Sequence, residues 1–490
     1  MPFLDRLQHW AALQPDANAV TIGAERLSYA ELRDRATMRA RELVAESSGG
    51  PTVLCRPNGL DFVVDFVAAV AGTGSVAVLD PGWPALQRST VERMLRDAAT
   101  SSPPDTPPAP ADLRDGPPDS LFLYGFTSGT TALPKAFTRS RDSWQRAFSA
   151  SNAWFDLGAD DRVLAPGPLS ASLTLYALAE TLSAGAAFHT LPHFDVGDAL
   201  DSVAHAAVTR IVAVPTALRL LGERGLSNAV DGSALTGIVS AGARLDGATL
   251  ARVRTWAPKA TVFDYYGAAE LSFVTARRLD PGEHRTASPT AVGRPFPGVE
   301  VRVLDDAGQA SAPGVTGTIC VRSRLVGAGY AWGDDGSAFA RVAGDHGGEW
   351  CTVGDQGHLD EAGELHFAGR RADMIVTSGH NVYPQEVEAT LLSGLGVSPG
   401  SAVAQVVVTG VADARRGTLL VAAVLEEGSP DAPALTRSDL RTAAADLAAP
   451  KRPRGYYRLS ELPLTGAGKI SRRLLAAWIT EGDPRVDRLV

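Results

Sequence analysis

The sequence predicts an α/β protein in two parts: a large N-terminal region of layered α and β elements, and a small α+β unit at the C-terminal end. Three observations predict it. Apolar strand-like runs alternate with helical patterns from the N-terminus to about residue 214, which argues for α/β layers. Val299 to Val321 reads as antiparallel strands, with turns at Asp305-Asp306-Ala307-Gly308 and Ala312-Pro313-Gly314. After the charged cluster Arg370-Arg371-Ala372-Asp373 the pattern becomes a compact β/α succession. A chain of 490 residues exceeds one ordinary core, so the expected division is 1–370 and 371–490.

Leu13-Gln14-Pro15-Asp16 reads as a helix end and Ala19–Ile22 as a short strand. Ser28 with Glu31 three residues later is a capping box that opens a helix. Val53–Cys55 and Val76–Leu79 are buried-strand runs, separated by the helical Phe62–Ala71. The proline-rich tract Ser101–Pro108 suits neither helix nor strand and reads as a surface loop. Leu121–Tyr124 is a strand; beyond the boundary, so are Val403–Val408 and Leu419–Leu425, with a helix at Ser438–Leu447. No fixed-period repeat is present.

Hydrophobic residues make up 45% of the chain, enough to build cores. With 46 basic and 55 acidic residues the net charge is −9, and the chain lacks the basic field that nucleic-acid binding requires. Cys55, Cys320 and Cys351 form no C-x-x-C pair, which disfavours a disulfide framework and a structural zinc. Met1–Arg6 lacks the pattern of a secretory signal, and the most apolar stretch, Phe62–Leu79, is broken by Asp65. A cytoplasmic chain without a membrane span is expected. Glycine accounts for 49 residues, which mark either turns or close backbone approach to a ligand.

Four motifs carry candidate chemistry. Thr127-Ser128-Gly129-Thr130-Thr131-Ala132-Leu133-Pro134-Lys135 follows a strand and offers hydroxyls, backbone N–H groups and a cation to a polyphosphate. It is not a Walker loop, because Pro134 and Ala136 flank the lysine. Asp264-Tyr265-Tyr266-Gly267-Ala268-Ala269-Glu270 sets an aromatic ring for a flat base beside a carboxylate for Mg²⁺. Cys351-Thr352-Val353-Gly354-Asp355, with Arg370 fifteen residues after Asp355, places a carboxylate able to accept from two vicinal ribose hydroxyls. Leu464-Thr465-Gly466-Ala467-Gly468-Lys469-Ile470 puts a lysine on a glycine-rich turn. Each has a plainer reading alone: an ordinary loop, a buried tyrosine pair, a turn aspartate, a solvated lysine.

Together and in this order they resemble the acyl-adenylate-forming superfamily of AMP-dependent synthetases and ligases, with wording closest to bacterial acyl-CoA synthetases. Further matches are Leu79–Pro84, Ser240–Ala243, Gly293–Gly298 and Ser378–Glu388, so the resemblance spans nearly the whole chain. It implies a large domain with a β-barrel-like subdomain and a small mobile C-terminal domain that rotates between two half-reactions. The expected reaction turns a carboxylic acid and ATP into acyl-AMP and pyrophosphate, then passes the acyl group to coenzyme A. An acyl carrier protein is the alternative acceptor, and a degenerate nucleotide-binding sensor is the alternative of another class. Attack by an amine or nitrite is a third possibility. A setting in secondary metabolism is expected.

Residue by residue, the resemblance assigns ATP phosphates to Thr127, Ser128, Gly129, Thr130, Thr131 and Lys135. It assigns the adenine site to Tyr265, Tyr266 and Gly267, with Asp264 at the amino edge and Gly242-Ala243 on the other side. Glu270 is the Mg²⁺ ligand, Asp355 the ribose ligand with Arg370 beside it, and Lys469 the catalytic cation. Ser378, Gly379 and His380 belong to the thiol tunnel. Leu169, Ala171, Ser172, Ala268 and Ala269 line the acyl pocket. The stretch Pro168–Tyr176 carries no charge, which favours an uncharged acyl group, and the small residues leave room for bulk.

Four positions depart from the pattern. Ala132 and Ala136 replace glycines, Ala269 replaces a threonine or serine before Glu270, and Ala372 stands at the hinge in place of Asp or Lys. The alanine methyls are expected to restrict positive φ, and Ala269 to cost one phosphate contact.

Overall fold

The computed structural model describes residues 3–46, 50–101, 113–127, 134–283, 290–333, 336, 340–343, 349–377, 380–395, 403–413, 417–426, 434–464 and 470–489. A helix Phe3–Leu13 ends where the Gln14-Pro15 reading puts it, and a strand Asn18–Ile22 follows. The capping box forms: the Glu31 carboxylate accepts from the Ser28 amide at 2.8 Å, and the Ser28 hydroxyl accepts from the Glu31 amide at 3.2 Å. It opens the helix Tyr29–Glu46.

Two sheets carry the large part. The smaller has five strands in the order Gly329–Trp332, Lys135–Ser140, Leu121–Thr127, Val76–Val78 and Thr52–Leu54. In the larger sheet, Arg162–Leu164, Ala187–Thr190, Arg210–Ala213, Gly237–Ser240 and Thr261–Ala268 pair in parallel. Such strands are covered on both faces, which explains their near-continuous apolar runs. At Thr261–Ala268 the sheet turns antiparallel through Ser272–Leu279 and Ala291–Pro295, and it continues into Leu365–Arg370 and Asp355–Leu359. The β-rich stretch expected as barrel-like is therefore an antiparallel group joined to the large sheet at Ala291–Pro295.

Beyond residue 374 a four-stranded sheet of Val403–Asp413, Gly417–Glu426, Gly455–Leu459 and Val486–Arg488 packs against Pro384–Gly394, Arg437–Ala443 and Arg472–Glu481. Its core, from Val382 and Leu391 to Val424 and Tyr456, contains only residues of this region. The helix expected over Ser438–Leu447 stops at Ala443. Past Ala443 the chain tightens into three-residue turns, Ala445 N–H to the Thr442 carbonyl and Leu447 N–H to the Ala444 carbonyl, and the Arg452 guanidinium donates to the Ala445 and Leu447 carbonyls, each at 2.7 Å. Among the described residues, no helix is long and apolar enough to cross a membrane.

The helix Ser172–Ala184 runs through the main core and carries a carboxylate into it. Glu180 is 6% exposed. Burial pushes its carboxyl up to about 7, against the lowering influence of the Ser151 hydroxyl and Arg210. The folded form keeps a proton that the unfolded chain releases near 4.5. Between these values the native state binds more protons, so this group's contribution to stability falls as pH rises. Glu180→Gln is predicted to gain stability relative to the native sequence between about pH 5 and 7, by roughly 1.4 kcal/mol per pH unit. Urea melts across that range check it; a difference independent of pH contradicts the assignment.

Candidate active site

The phosphate motif is closed at its base by a hairpin. Thr127 pairs with Lys135 across the ends of their strands. Ser128, Gly129, Thr130 and Thr131, with Ala132, lie outside the described residues. Pro134 is held from below, where Trp332 Nε1 donates to its carbonyl at 3.1 Å. Ala136 sits in the regular strand, fully buried and paired with Phe126, and φ there is not positive. The restriction expected of its methyl does not arise: a strand position suits any L-residue.

Glu270 lies in the tight turn between Thr261–Ala268 and Ser272–Leu279. The turn demands Gly267: a Cβ there would meet the Ser272 carbonyl oxygen at 2.2 Å. Arg139 Nη2 holds the Ala269 carbonyl at 2.6 Å, and the Gly327 amide donates to the Glu270 carbonyl at 2.8 Å. The Glu270 side chain is 7% exposed. Its Oε1 accepts from Tyr330 at 2.6 Å and from Thr127 at 3.2 Å. Burial draws the Arg139 guanidinium down to about 10, opposed by the nearby Glu270 charge, so it remains a cation at neutral pH. A hard carboxylate oxygen beside hydroxyl donors suits Mg²⁺.

Tyr266 and Tyr265 point to opposite faces of one strand, as alternation requires. Tyr266 donates to Asp355 Oδ2 at 2.6 Å and lies against Phe367, ring centroids 5.4 Å apart. Tyr265 turns instead toward Phe273, at 4.6 Å between centroids, and Phe155. It thus leaves the nucleotide residues and joins the aromatic group around Tyr176, a correction to its expected place beside the base.

Asp355 and Arg370 pair directly in one antiparallel hairpin, which accounts for their fifteen-residue spacing. Asp355 is 3% exposed, and its Oδ1 is buried without a hydrogen bond; Arg370 Nε stands 3.4 Å away. Burial raises the Asp355 carboxyl, with Arg370 opposing. An orphaned acceptor of this kind fits a pair of ribose hydroxyls.

Asp264 is already engaged. It forms an ion pair with Arg277, its cross-strand partner, and Arg244 is close enough to influence it. Gly242 takes φ +82°, and Gly242 and Ala243 are exposed at the end of a parallel strand. On the acyl side, Ala171 caps the helix Ser172–Ala184, Ser172 is exposed, and Ala268 and Ala269 are half-buried. Leu169 is fully buried in the core, so it lies behind any pocket surface. Asn58 fixes this segment: it accepts from the Leu169 amide at 2.7 Å and donates to the Gly167 and Leu191 carbonyls. His380 is exposed on a two-stranded ribbon, while Ser378, Gly379 and Lys469 lie outside the described residues.

Arg139, Arg277, Tyr330, Trp332 and Asn58 were not singled out in the sequence. Arg277 alone had a legible signal, since it mirrors Asp264 about the Gly267–Ser272 turn. The others act across long sequence distances.

Residues 86–331 match the AMP-binding enzyme family, and residues 397–469 match the AMP-binding enzyme C-terminal domain. The chain belongs to the AMP-binding enzyme family. It is 30% identical to an uncharacterized acyl-CoA ligase of Bacillus subtilis, YhfT, over 96% of this chain and 97% of that protein. These relationships make it an AMP-forming acid–thiol ligase. The fold matches o-succinylbenzoate CoA synthetase MenE of Bacillus subtilis with its acyl-adenylate, at TM-score 0.78, 23% identity and 97% and 98% coverage. It also matches the amide bond synthetase McbA of Marinactinospora thermotolerans, at TM-score 0.80, 25% identity and 98% and 100% coverage.

Asp355→Ala is predicted to raise the ATP concentration needed for half-maximal pyrophosphate exchange by about tenfold or more, and Tyr266→Phe by less. An unchanged ATP dependence in Asp355→Ala contradicts the ribose assignment.

Proposed function

We propose that the chain is an ATP-dependent acyl-CoA ligase acting on an uncharged carboxylic acid. The acid's carboxylate attacks the α-phosphorus of ATP, pyrophosphate leaves, and the thiol of coenzyme A then displaces AMP from the acyl carbonyl. Asp355 accepts from the ribose hydroxyls, Tyr266 flanks the base, and Thr127 and Lys135 meet the phosphates at the loop base. Glu270 would hold Mg²⁺, which supplies charge neutralisation at the phosphates. Lys469 adds a cation where negative charge grows. The division at residues 370 and 371 serves as the hinge between the two steps, with Ala372 in the short 3₁₀ turn Arg371–Asp373.

The observation that carries the choice of coenzyme A is a cavity of about 280 Å³ lined by Thr377, His380, Leu420, Ala449, Pro450, Arg452 and Arg454. His380 of the tunnel motif lines it. Two guanidinium groups suit the clustered phosphates of the coenzyme A nucleotide. A carrier protein's phosphopantetheine arm has a single phosphodiester and calls for less.

The acid is inferred to be uncharged for two reasons. Asp264 is compensated by Arg277 and is not free to bind a substrate ammonium. Tyr176 and Tyr265, half-buried near the acyl side and packed edge to face on the buried Phe273, suit an apolar or aromatic acyl group. A cytoplasmic setting, where ATP and coenzyme A are both at hand, is part of this reading.

A pyrophosphate-release screen over aromatic, fatty, terpenoid-like and β-amino acids, with coenzyme A, carrier protein or amines as acceptor, tests it. Acid-dependent pyrophosphate and acyl-CoA are expected. Product only with carrier protein or amine overturns the acceptor, and no acid-dependent pyrophosphate favours the sensor. Lys469→Ala is predicted to abolish adenylation but spare thiolation of supplied acyl-AMP; equal loss of both contradicts domain alternation. Arg454→Ala, at an exposed position, is predicted to raise the KM for coenzyme A several-fold and leave pyrophosphate exchange unchanged.

A further inference from the structure

We propose that Tyr330 is a positioning residue that fixes the metal-binding carboxylate of Glu270 and separates it from the phosphate-binding ammonium of Lys135. The proposal rests on the reading of Glu270 as the Mg²⁺ carboxylate. Tyr330 lies on the edge strand Gly329–Trp332, which pairs with Lys135–Ser140, so its backbone is tied to the exit of the phosphate loop. Its hydroxyl donates to Glu270 Oε1 at 2.6 Å, within the short range of charge-assisted O–H···O⁻ bonds. Lys135 Nζ stands 5.8 Å from the centre of the same ring, at cation–π distance.

One side chain therefore touches the two opposite charges that ATP and its metal require. The ring fills space between them, and the hydroxyl orients the carboxylate. Thr127 supplies a second, longer bond to the same oxygen, 3.2 Å, which leaves Oε2 available to a cation. The position before Glu270 is Ala269, which has no hydroxyl to offer, so the donors that set this carboxylate come from other strands. A group that orients a metal ligand in this way typically contributes about tenfold or more to metal affinity.

Tyr330→Phe removes the hydroxyl and keeps the ring over Lys135; Tyr330→Leu removes both. Calorimetric titration of ATP into the full chain, over a range of MgCl₂ and in EDTA, separates their effects, with Glu270→Gln as reference. Tyr330→Phe is expected to raise the Mg²⁺ concentration for half-maximal nucleotide binding by about tenfold, with binding in EDTA and the melting temperature nearly unchanged. Tyr330→Leu is expected to weaken ATP binding in EDTA as well. If Glu270→Gln shifts the Mg²⁺ dependence and Tyr330→Phe does not, the positioning role is overturned while the Glu270 reading stands. If Glu270→Gln leaves the Mg²⁺ dependence unchanged, the Glu270 reading itself fails. Equal weakening of Tyr330→Phe with and without Mg²⁺ also overturns the proposal, since it points to a structural role.

Discussion

A carboxylate taken out of water must be met by donors, by opposite charge or by a proton, and this constraint organises the site. Four buried acids meet it in four ways. Asp264 is paired with Arg277, so its charge is used within the fold. Glu270 is met by two neutral hydroxyls, with the Arg139 cation close by. Asp355 has one oxygen satisfied by Tyr266 and one left open to a ligand. Glu180, deep in the core beside the Ser151 hydroxyl, is pushed by burial toward its protonated form. Asp355 and Glu180 each keep one buried oxygen without a hydrogen bond; that of Asp355 stands 3.4 Å from Arg370.

The sheets make this arrangement possible. The parallel strands end beside Gly242, and the switch to antiparallel pairing after Thr261–Ala268 creates the turn that carries Glu270. The same large sheet then delivers Asp355 and Arg370 as a hairpin against Tyr266. The smaller sheet brings Thr127, Lys135 and Tyr330 from the other side. Neither sheet holds the site alone. The Thr127–Glu270 and Tyr330–Glu270 bonds cross between them, so packing of the two sheets and geometry of the Glu270 carboxylate are one problem.

Most of the fold was legible because it follows local rules. Strand runs, the Ser28 capping box and the glycine-marked turns depend on neighbours a few residues away. The site motifs were legible for the same reason, each being contiguous. What could not be read were contacts between segments far apart in sequence. Tyr330 reaches Glu270 over sixty residues, Arg139 reaches Ala269 over 130, and Asn58 reaches Leu169 over 111. Tyr265 was misplaced by adjacency: two tyrosines in a row suggest one site, but a strand sends them to opposite faces. The tight turns that follow Ala443 were hidden likewise, because the residue that binds the Ala445 and Leu447 carbonyls there is Arg452.

The proposed reaction passes in two steps through an enzyme-held acyl-AMP. Mass spectrometry of an acid-quenched single turnover, without and then with a coenzyme A chase, tests it most directly. Acyl-AMP is expected in near-stoichiometric amount with enzyme before the chase, and its conversion to acyl-CoA and AMP afterwards. Acyl-CoA formed with no acyl-AMP beforehand, or acyl-AMP that survives the chase, would contradict it.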